Sequence, residues 1–168
     1  MRAFRLILLV GVCGLMILAC SKDKTVTPVA DTNGAFLAGA KGASKSWKIS
    51  AATGSQNGGQ EQSLSLDDCF KDNVFKFSNN SAQDYENTEG STKCVNSDSI
   101  LVEKGTWAFT SDGKTLLIDG TSYSQQNVFT GIGKPVSVLQ LSDATMKISF
   151  SFTGSSGTIV YYLNFVKI

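Results

Sequence analysis

Residues 146–153 read MKISFSFT and residues 158–168 read TIVYYLNFVKI, and these two stretches decide the fold. In the first stretch every second residue is apolar, a period of two that a helix cannot place on one face. The second stretch follows the turn residues GSSG at 154–157 and is apolar on both faces. The pair predicts a β-hairpin whose last strand pairs near the start of a closed β-barrel, which would explain why both of its faces are apolar.

The chain before this hairpin repeats the pattern, with short β-rich runs separated by clusters of Gly, Asn, Asp and Ser. A hairpin is predicted from 105–109 and 115–119, where Gly113 can take the positive φ of a tight turn. Further strands are expected, among them one at 123–129. About eight strands in all predict an all-β fold, a small antiparallel up-and-down barrel, with a β-sandwich as the alternative.

The N-terminus has the form of a secretion signal. Arg2 and Arg5 precede an uncharged run from residue 6 to residue 19, which is too short to span a bilayer that needs about 20 apolar residues. The run ends in ILAC at 17–20 and resembles the lipobox of bacterial lipoproteins. We expect residues 1–19 to be removed and Cys20 to carry lipid; the alternative is an ordinary secreted protein cut near Ala19.

The residues after Cys20 suggest where the protein is placed. Ser21 occupies the position where an aspartate would retain a lipoprotein in the inner membrane, so we expect a lipid-anchored protein of the outer membrane, on its periplasmic face or at the cell surface. Residues 20–45 show little periodicity and are interpreted as a flexible tether. Residues 46–168 form the predicted barrel domain.

The composition argues against several classes of function. The 15 Lys and Arg balance 14 Asp and Glu, so no basic surface for nucleic acid is expected, and the absence of histidine removes the commonest catalytic base. Glu86, Glu89 and Glu103 could supply an acid pair, but all lie in polar stretches and are expected to be solvated. The acidic run at 67–72 is interpreted as a turn in preference to a calcium site. We therefore predict no catalytic residue, no metal and no cofactor.

Two cysteines remain for the mature domain once Cys13 leaves with the signal and Cys20 is lipidated. In an oxidising envelope Cys69 and Cys94 most simply form a disulfide, which would close a loop of about 25 residues. Two free thiols are the alternative, but the Cys-x-x-Cys spacing of redox sites is absent.

The order of several short motifs resembles the lipocalin-like lipoprotein domains of Bacteroidetes. These motifs are LDDCFKDN at 66–73, the FKF run at 75–77, Cys94, GTW at 105–107 and DGKTL at 112–116. The resemblance covers residues 47–168. It implies a lipocalin-like barrel of the calycin type behind a lipidated tether, and it brings no catalytic motif.

The predicted function is binding of a small apolar ligand inside this barrel, by a non-enzymatic envelope lipoprotein. Aromatic side chains at alternating strand positions are the candidate cavity lining: Trp47, Phe75, Phe77, Trp107, Phe109, Phe150, Phe152, Tyr161 and Phe165. The same side chains could instead fill a packed core. In that case the protein would be a structural module that binds an envelope protein partner, an alternative favoured by the absence of a lipocalin Gly-x-Trp before Trp47.

Overall fold

A computed structural model describes residues 27–97, 99–133 and 135–168. Its helices are α1 (Val29–Ala38), α2 (Asp68–Lys71) and α3 (Phe129–Ile132). Its strands are β1 (Ser44–Gln56), β2 (Gln62–Leu64), β3 (Val74–Ser78), β4 (Asp84–Thr88), β5 (Leu101–Phe109), β6 (Thr115–Ser122), β7 (Val136–Leu141), β8 (Thr145–Gly154) and β9 (Gly157–Lys167). None of the helices in these ranges has the length and apolar character to cross a membrane.

The strands form one antiparallel sheet that closes into a barrel. The order is β2-β1-β3-β4-β5-β6-β7-β8-β9, and β1 also pairs with β9 from Trp47↔Lys167 to Gln56↔Ile159. Strand β2 pairs only with the second half of β1, beyond the part of β1 that pairs with β3. Eight strands therefore close the barrel and β2 is an addition, which confirms the predicted barrel and excludes the sandwich.

The two decisive stretches pair as predicted. Strands β8 and β9 pair without a register break from Thr145↔Val166 to Gly154↔Gly157. The hairpin of β5 and β6 is also confirmed, since Gly113 in its turn has φ +68° and its N–H donates to the Thr110 carbonyl. A side chain at this glycine would additionally collide with Asn33 of α1.

Helix α1 corrects the predicted extent of the flexible tether, because residues 29–38 are helical and pack across one end of the barrel. Leu37 and Ala38 are fully buried, and the buried Trp47 Nε1 donates to the Leu37 carbonyl at 2.8 Å. Lys45 Nζ donates to the carbonyls of Ala35 and Phe36 at the end of the helix. The helix depends on these contacts with the barrel, which explains why its own sequence shows little helical periodicity.

The segment from α1 to the start of β1 covers one end of the barrel, which we call the closed end, because residues of this segment are bonded to three turns that lie there. Asn33 Nδ2 donates to the Gly113 carbonyl in the β5–β6 turn, and Asn79 Nδ2, in the β3–β4 turn, donates to the Gly39 carbonyl. Lys45 also pairs with Asp143 in the β7–β8 turn. The β1–β2 and β8–β9 turns lie at the opposite, open end.

The predicted disulfide is confirmed between Cys69 and Cys94, whose Cα atoms are 5.2 Å apart. Cys69 lies in α2, just before β3, and Cys94 follows β4. The bridge therefore joins the segment before β3 to the segment after β4, at the end of this hairpin opposite its turn, as predicted. The same loop is held by Asp72 Oδ2, which accepts hydrogen bonds from Thr92 N–H at 2.7 Å and Ser91 Oγ at 3.0 Å.

The strand predicted at 123–129 is wrong. Residues 123–128 form a turn and loop, and Phe129 begins the short helix α3, which packs against β6. The run is rich in β-favouring Tyr, Val and Phe, but its backbone N–H groups at 128–130 bond to a buried side chain instead of a neighbouring strand. This tertiary contact overrides the local propensity.

Candidate functional site

The inner face of the barrel extends beyond its core toward the open end. Along β8 and β9, buried pairs such as Met146↔Phe165 and Ile148↔Leu163 are followed on the same face by Phe150↔Tyr161 and Phe152↔Ile159. On β1 and β2, Gly54 and Leu64 continue the same face. Because alternate residues of a strand share a face, these side chains line the inside of the open end.

Five of these side chains form an apolar surface at the open end, which we call the mouth surface: Leu64, Phe150, Phe152, Ile159 and Tyr161. Phe150 stacks on Tyr161 with ring centroids 5.5 Å apart, and Phe152 contacts both rings edge-on. Phe152 is 44 % exposed and Leu64 is 40 % exposed. An apolar cluster left open to solvent inside a barrel is typical of a binding surface.

A pocket of about 360 Å³ lies at the mouth surface, against β1, β2 and β9. Leu64, Ile159 and Tyr161 supply its apolar lining, and Gln56, Gln60 and Gln62 lie around it. Gly54 allows a close approach here, because a Cβ at this position would already touch the Leu64 side chain. The lining contains no charged side chain, so the pocket fits an uncharged, largely apolar molecule.

The β1–β2 wall of the pocket is braced from its outer side. Glu61 accepts a hydrogen bond from Thr53 at 2.7 Å and pairs with Lys147 of β8 at 3.1 Å. The Lys147 ammonium also lies over the Tyr162 ring, 4.7 Å from its centroid. The Thr53 hydroxyl and the Lys147 ammonium lower the pKa of Glu61. The short β2 strand is thereby tied to the strands on the far side of the pocket.

Below the mouth surface the barrel interior is filled by aromatic side chains. Of the predicted cavity lining, Trp47, Phe75, Phe77, Trp107 and Phe165 are buried in the core, and Phe109 packs against it. Phe150, Phe152 and Tyr161 are the predicted residues that the structure places at the mouth surface. The alternating pattern located both groups on the inner face, but it does not distinguish a filled level of the barrel from an open one.

Phe129, which was predicted only as the end of a strand and not as a site residue, lies in the interior of the barrel. Its ring is 3 % exposed and lies 5.4 to 6.3 Å from four other rings. Those rings belong to Phe75, Phe77, Tyr85 and Phe165. The side chain enters the barrel from α3, so it fills the interior as a plug and is not part of the barrel wall.

The Glu103 carboxylate lies next to this plug. It is fully buried, so the prediction that this acid is solvated was wrong. It accepts hydrogen bonds from the Tyr85 hydroxyl at 2.6 Å, the Thr130 hydroxyl at 2.8 Å and the Thr130 N–H at 2.9 Å. The N–H groups of Val128 and Phe129 donate to it at 3.1 and 3.3 Å. Burial raises the pKa of Tyr85 well above its usual 10.0, and the adjacent carboxylate raises it further.

The other two candidate acids do not combine with Glu103 into a catalytic pair facing an open cleft. Glu89 is 8 % exposed, which also differs from the predicted solvated state. Glu86 lies on the outer face of β4, in an open groove of about 670 Å³ that also contains Lys76, Lys104 and Asp119. The groove therefore contains both positively and negatively charged side chains, and these are exposed to solvent. In the described ranges, no group of three His, Cys, Asp or Glu side chains has the geometry to hold a metal ion.

The predicted lipidation site Cys20 and the predicted signal peptide lie outside the described residues. Comparison with known proteins gives one finding for the barrel: a family model described as "Lipocalin-like domain" matches residues 44–148. This range extends from the start of β1 into β8. No curated protein matches the chain.

Proposed function

The chain belongs to the family of lipocalin-like domains, and from this premise we propose that it is a non-enzymatic envelope lipoprotein that binds a small apolar ligand at its mouth surface. The exposed aromatic cluster of Phe150, Phe152 and Tyr161, inside the open end of a closed barrel, carries the proposal. Barrels of eight strands either fill their interior or hold one small ligand. In this barrel, aromatic side chains fill the interior below the mouth surface, and the interior at the mouth surface is open to solvent.

The size and chemistry of the pocket support a ligand of modest size. A volume of about 360 Å³ lies at the lower end of the range of about 300 to 1,000 Å³ for small-molecule sites. The Tyr161 ring of the lining and the adjoining Phe150 and Phe152 rings offer apolar contact and stacking. The glutamine amides at 56, 60 and 62 can hydrogen-bond a polar edge of the ligand. The proposed ligand is therefore uncharged, with one apolar face.

The sequence supports the proposed anchor. The basic start, the uncharged run to residue 19 and the ILAC ending together fit a lipoprotein signal with Cys20 as the lipidated residue. Ser21, in place of a retaining aspartate, favours the outer membrane as the destination. The proposal of a non-enzymatic role is supported by the complete lack of histidine and by the placement of the candidate acids, since Glu89 and Glu103 are buried and Glu86 lies in an open groove.

Titration of the purified chain with the uncharged fluorescent probe N-phenyl-1-naphthylamine tests the ligand proposal. We expect saturable binding that Phe152→Ser weakens at least fivefold, because the serine removes an exposed ring of the mouth surface. Leu139→Ser is the matched control, since Leu139 is 53 % exposed on β7 and outside the mouth surface. Absence of saturable binding, or equal loss in both variants, would contradict the proposal.

Fractionation of cells that express Cys20→Ser tests the anchor. We expect this variant to lose incorporation of a fatty-acid label and to leave the membrane fraction. Cys13→Ser is the control, because Cys13 lies within the proposed signal and its loss should leave both properties unchanged. Retention of the label in Cys20→Ser would refute lipidation at this residue.

A second candidate function is that of an interaction module for an envelope protein, and the filled lower barrel favours it. In that case the outer surface would carry the function and the mouth surface would bind no small molecule. Crosslinking in intact cells followed by purification distinguishes the two candidates. A partner whose crosslinking is unaffected by Phe152→Ser, together with no probe binding, would support the interaction module.

A further inference from the structure

The hydrogen bonds that join the segment 128–130 to the barrel interior end on one side chain. The Glu103 carboxylate receives four hydrogen bonds from it: the N–H groups of Val128, Phe129 and Thr130, and the Thr130 hydroxyl. Two further donors, Tyr85 Oη and Asn87 Nδ2, belong to the neighbouring strand β4 and hold the carboxylate in place. The carboxylate thus acts as a latch for the segment.

This segment also lies where the barrel wall is least continuous. Strands β6 and β7 pair only at Thr115↔Ser137 and Leu116↔Val136, whereas β5 and β6 pair over seven positions. Helix α3 packs beside β6 and is followed by Gly133, which has φ +62°. Movement of α3 would therefore break the latch bonds without breaking a strand pair.

The space held by Phe129 borders the mouth surface through the inner face of β9. Phe165, which stacks on Phe129 with ring centroids 6.3 Å apart, is followed on the same face by Leu163 and then by Tyr161 of the mouth surface. Removal of the Phe129 ring would leave an apolar chamber at the level of Phe75, Phe77 and Tyr85. Such a chamber would continue the mouth surface inward.

We propose that Phe129 is a displaceable plug and that its space is a second, deeper binding site for an aromatic ring bearing an N–H or O–H donor. The proposal rests on the proposed function, because it places this deeper site beneath the mouth surface. The ring is required because the chamber has the shape of the phenylalanine side chain that leaves it and is surrounded by four other aromatic rings. The donor is required because the departing segment removes both donors that bond Glu103 Oε2, the Thr130 N–H and hydroxyl, while Tyr85 and Asn87 continue to donate to Oε1. A buried carboxylate oxygen left without a donor is costly.

Indole is a suitable probe, with benzofuran as the matched compound of similar shape that lacks the N–H. In the wild-type chain we expect indole to bind at least fivefold more tightly than benzofuran. We also expect indole to accelerate hydrogen exchange of the amides of 128–130 and to shift the Phe129 ring resonances. Indole binding that leaves these signals unchanged would overturn the proposal.

Two variants separate the plug from the latch. Phe129→Ala should bind indole at least tenfold more tightly than the wild type and should bind benzofuran almost equally well, because the latch bonds then stay in place. Glu103→Gln should accelerate exchange of the 128–130 amides at least tenfold. A folded Phe129→Ala with wild-type indole affinity would refute the deeper site. Should that variant fail to fold, the smaller change Phe129→Leu and the exchange in Glu103→Gln provide the same test.

The variant Phe152→Ser distinguishes failure of this proposal from failure of the proposed function. It should weaken N-phenyl-1-naphthylamine at the mouth surface and leave the indole affinity of Phe129→Ala within twofold. Tight indole binding without naphthylamine binding would retain the deeper site and remove the mouth site. The reverse result would retain the mouth site alone.

Discussion

Removal of the Cys69–Cys94 disulfide should lower the free energy of unfolding by about 3.5 kcal/mol. The bridge spans a sequence separation of 25 residues, and loop-closure entropy for a loop of that length gives this value. The effect acts on the unfolded chain, because the native loop keeps other attachments. Asp72 Oδ2 still accepts its bonds from Ser91 and Thr92, and Asn73 Oδ1 still accepts the Gly90 N–H at 3.1 Å.

Urea unfolding of the wild type and of the double variant Cys69→Ala/Cys94→Ala measures this loss, with the fluorescence of the buried Trp47 and Trp107 as the signal. With a slope of about 2 kcal/mol/M, the midpoint should fall by a little under 2 M. The far-ultraviolet circular dichroism of the native state should not change. Reducing agent should shift the wild type to the same midpoint and leave the double variant unaffected. A loss below about 1 kcal/mol at equal slope would refute the entropic reasoning.

Two further predictions concern the closed end of the barrel. Trp47→Phe should lower the free energy of unfolding by about 2 to 4 kcal/mol in urea denaturation, because it leaves the buried Leu37 carbonyl without its donor and opens a void; a loss under 1 kcal/mol would contradict this role. Hydrogen bonds from Lys45 and Lys167, together with their charges, lower the pKa of Asp143 from 3.8 to about 2. The stabilising contribution of this ionised carboxyl is thus complete above pH 3.8 and is lost as the pH falls through 2. NMR titration of Asp143 should therefore show a midpoint near 2, and Lys45→Met should raise that midpoint toward 3.8. A wild-type midpoint near 3.8 would contradict the ion pair.

The sequence was sufficient for the parts of the fold that local patterns encode. The alternation at 146–153 predicted β8 and its inner face, and the apolar character of both faces at 158–168 predicted the strand at which the barrel closes. The positive φ at Gly113 followed from turn chemistry. The Cys69–Cys94 pairing followed from the number of cysteines left in the mature chain. Each of these depends on residues close in sequence or on simple counting.

The parts that could not be predicted depend on contacts between distant residues. Glu103 lies in a polar stretch, and its burial depends on donors 25 to 27 residues later that no local pattern reveals. The one available signal is that Glu103 is four residues from the inward-facing Trp107, an even spacing that places both on the same face of β5. Phe129 was assigned to a strand because its neighbours favour β-structure, and α1 was missed because the barrel stabilises it.

The position of α1 bears on how the molecule would be oriented on a bilayer if Cys20 carries lipid, as proposed. The chain reaches α1 at the base of the barrel, where Val29 lies close to the β5–β6 turn. The nine residues from a lipidated Cys20 to Val29 span at most about 30 Å when fully extended. With a lipid on Cys20, as proposed, this short attachment at the closed end would favour an orientation in which the open end points away from the membrane. The proposed ligand would then be taken from the surrounding fluid or from a facing surface, and not drawn out of the leaflet beneath.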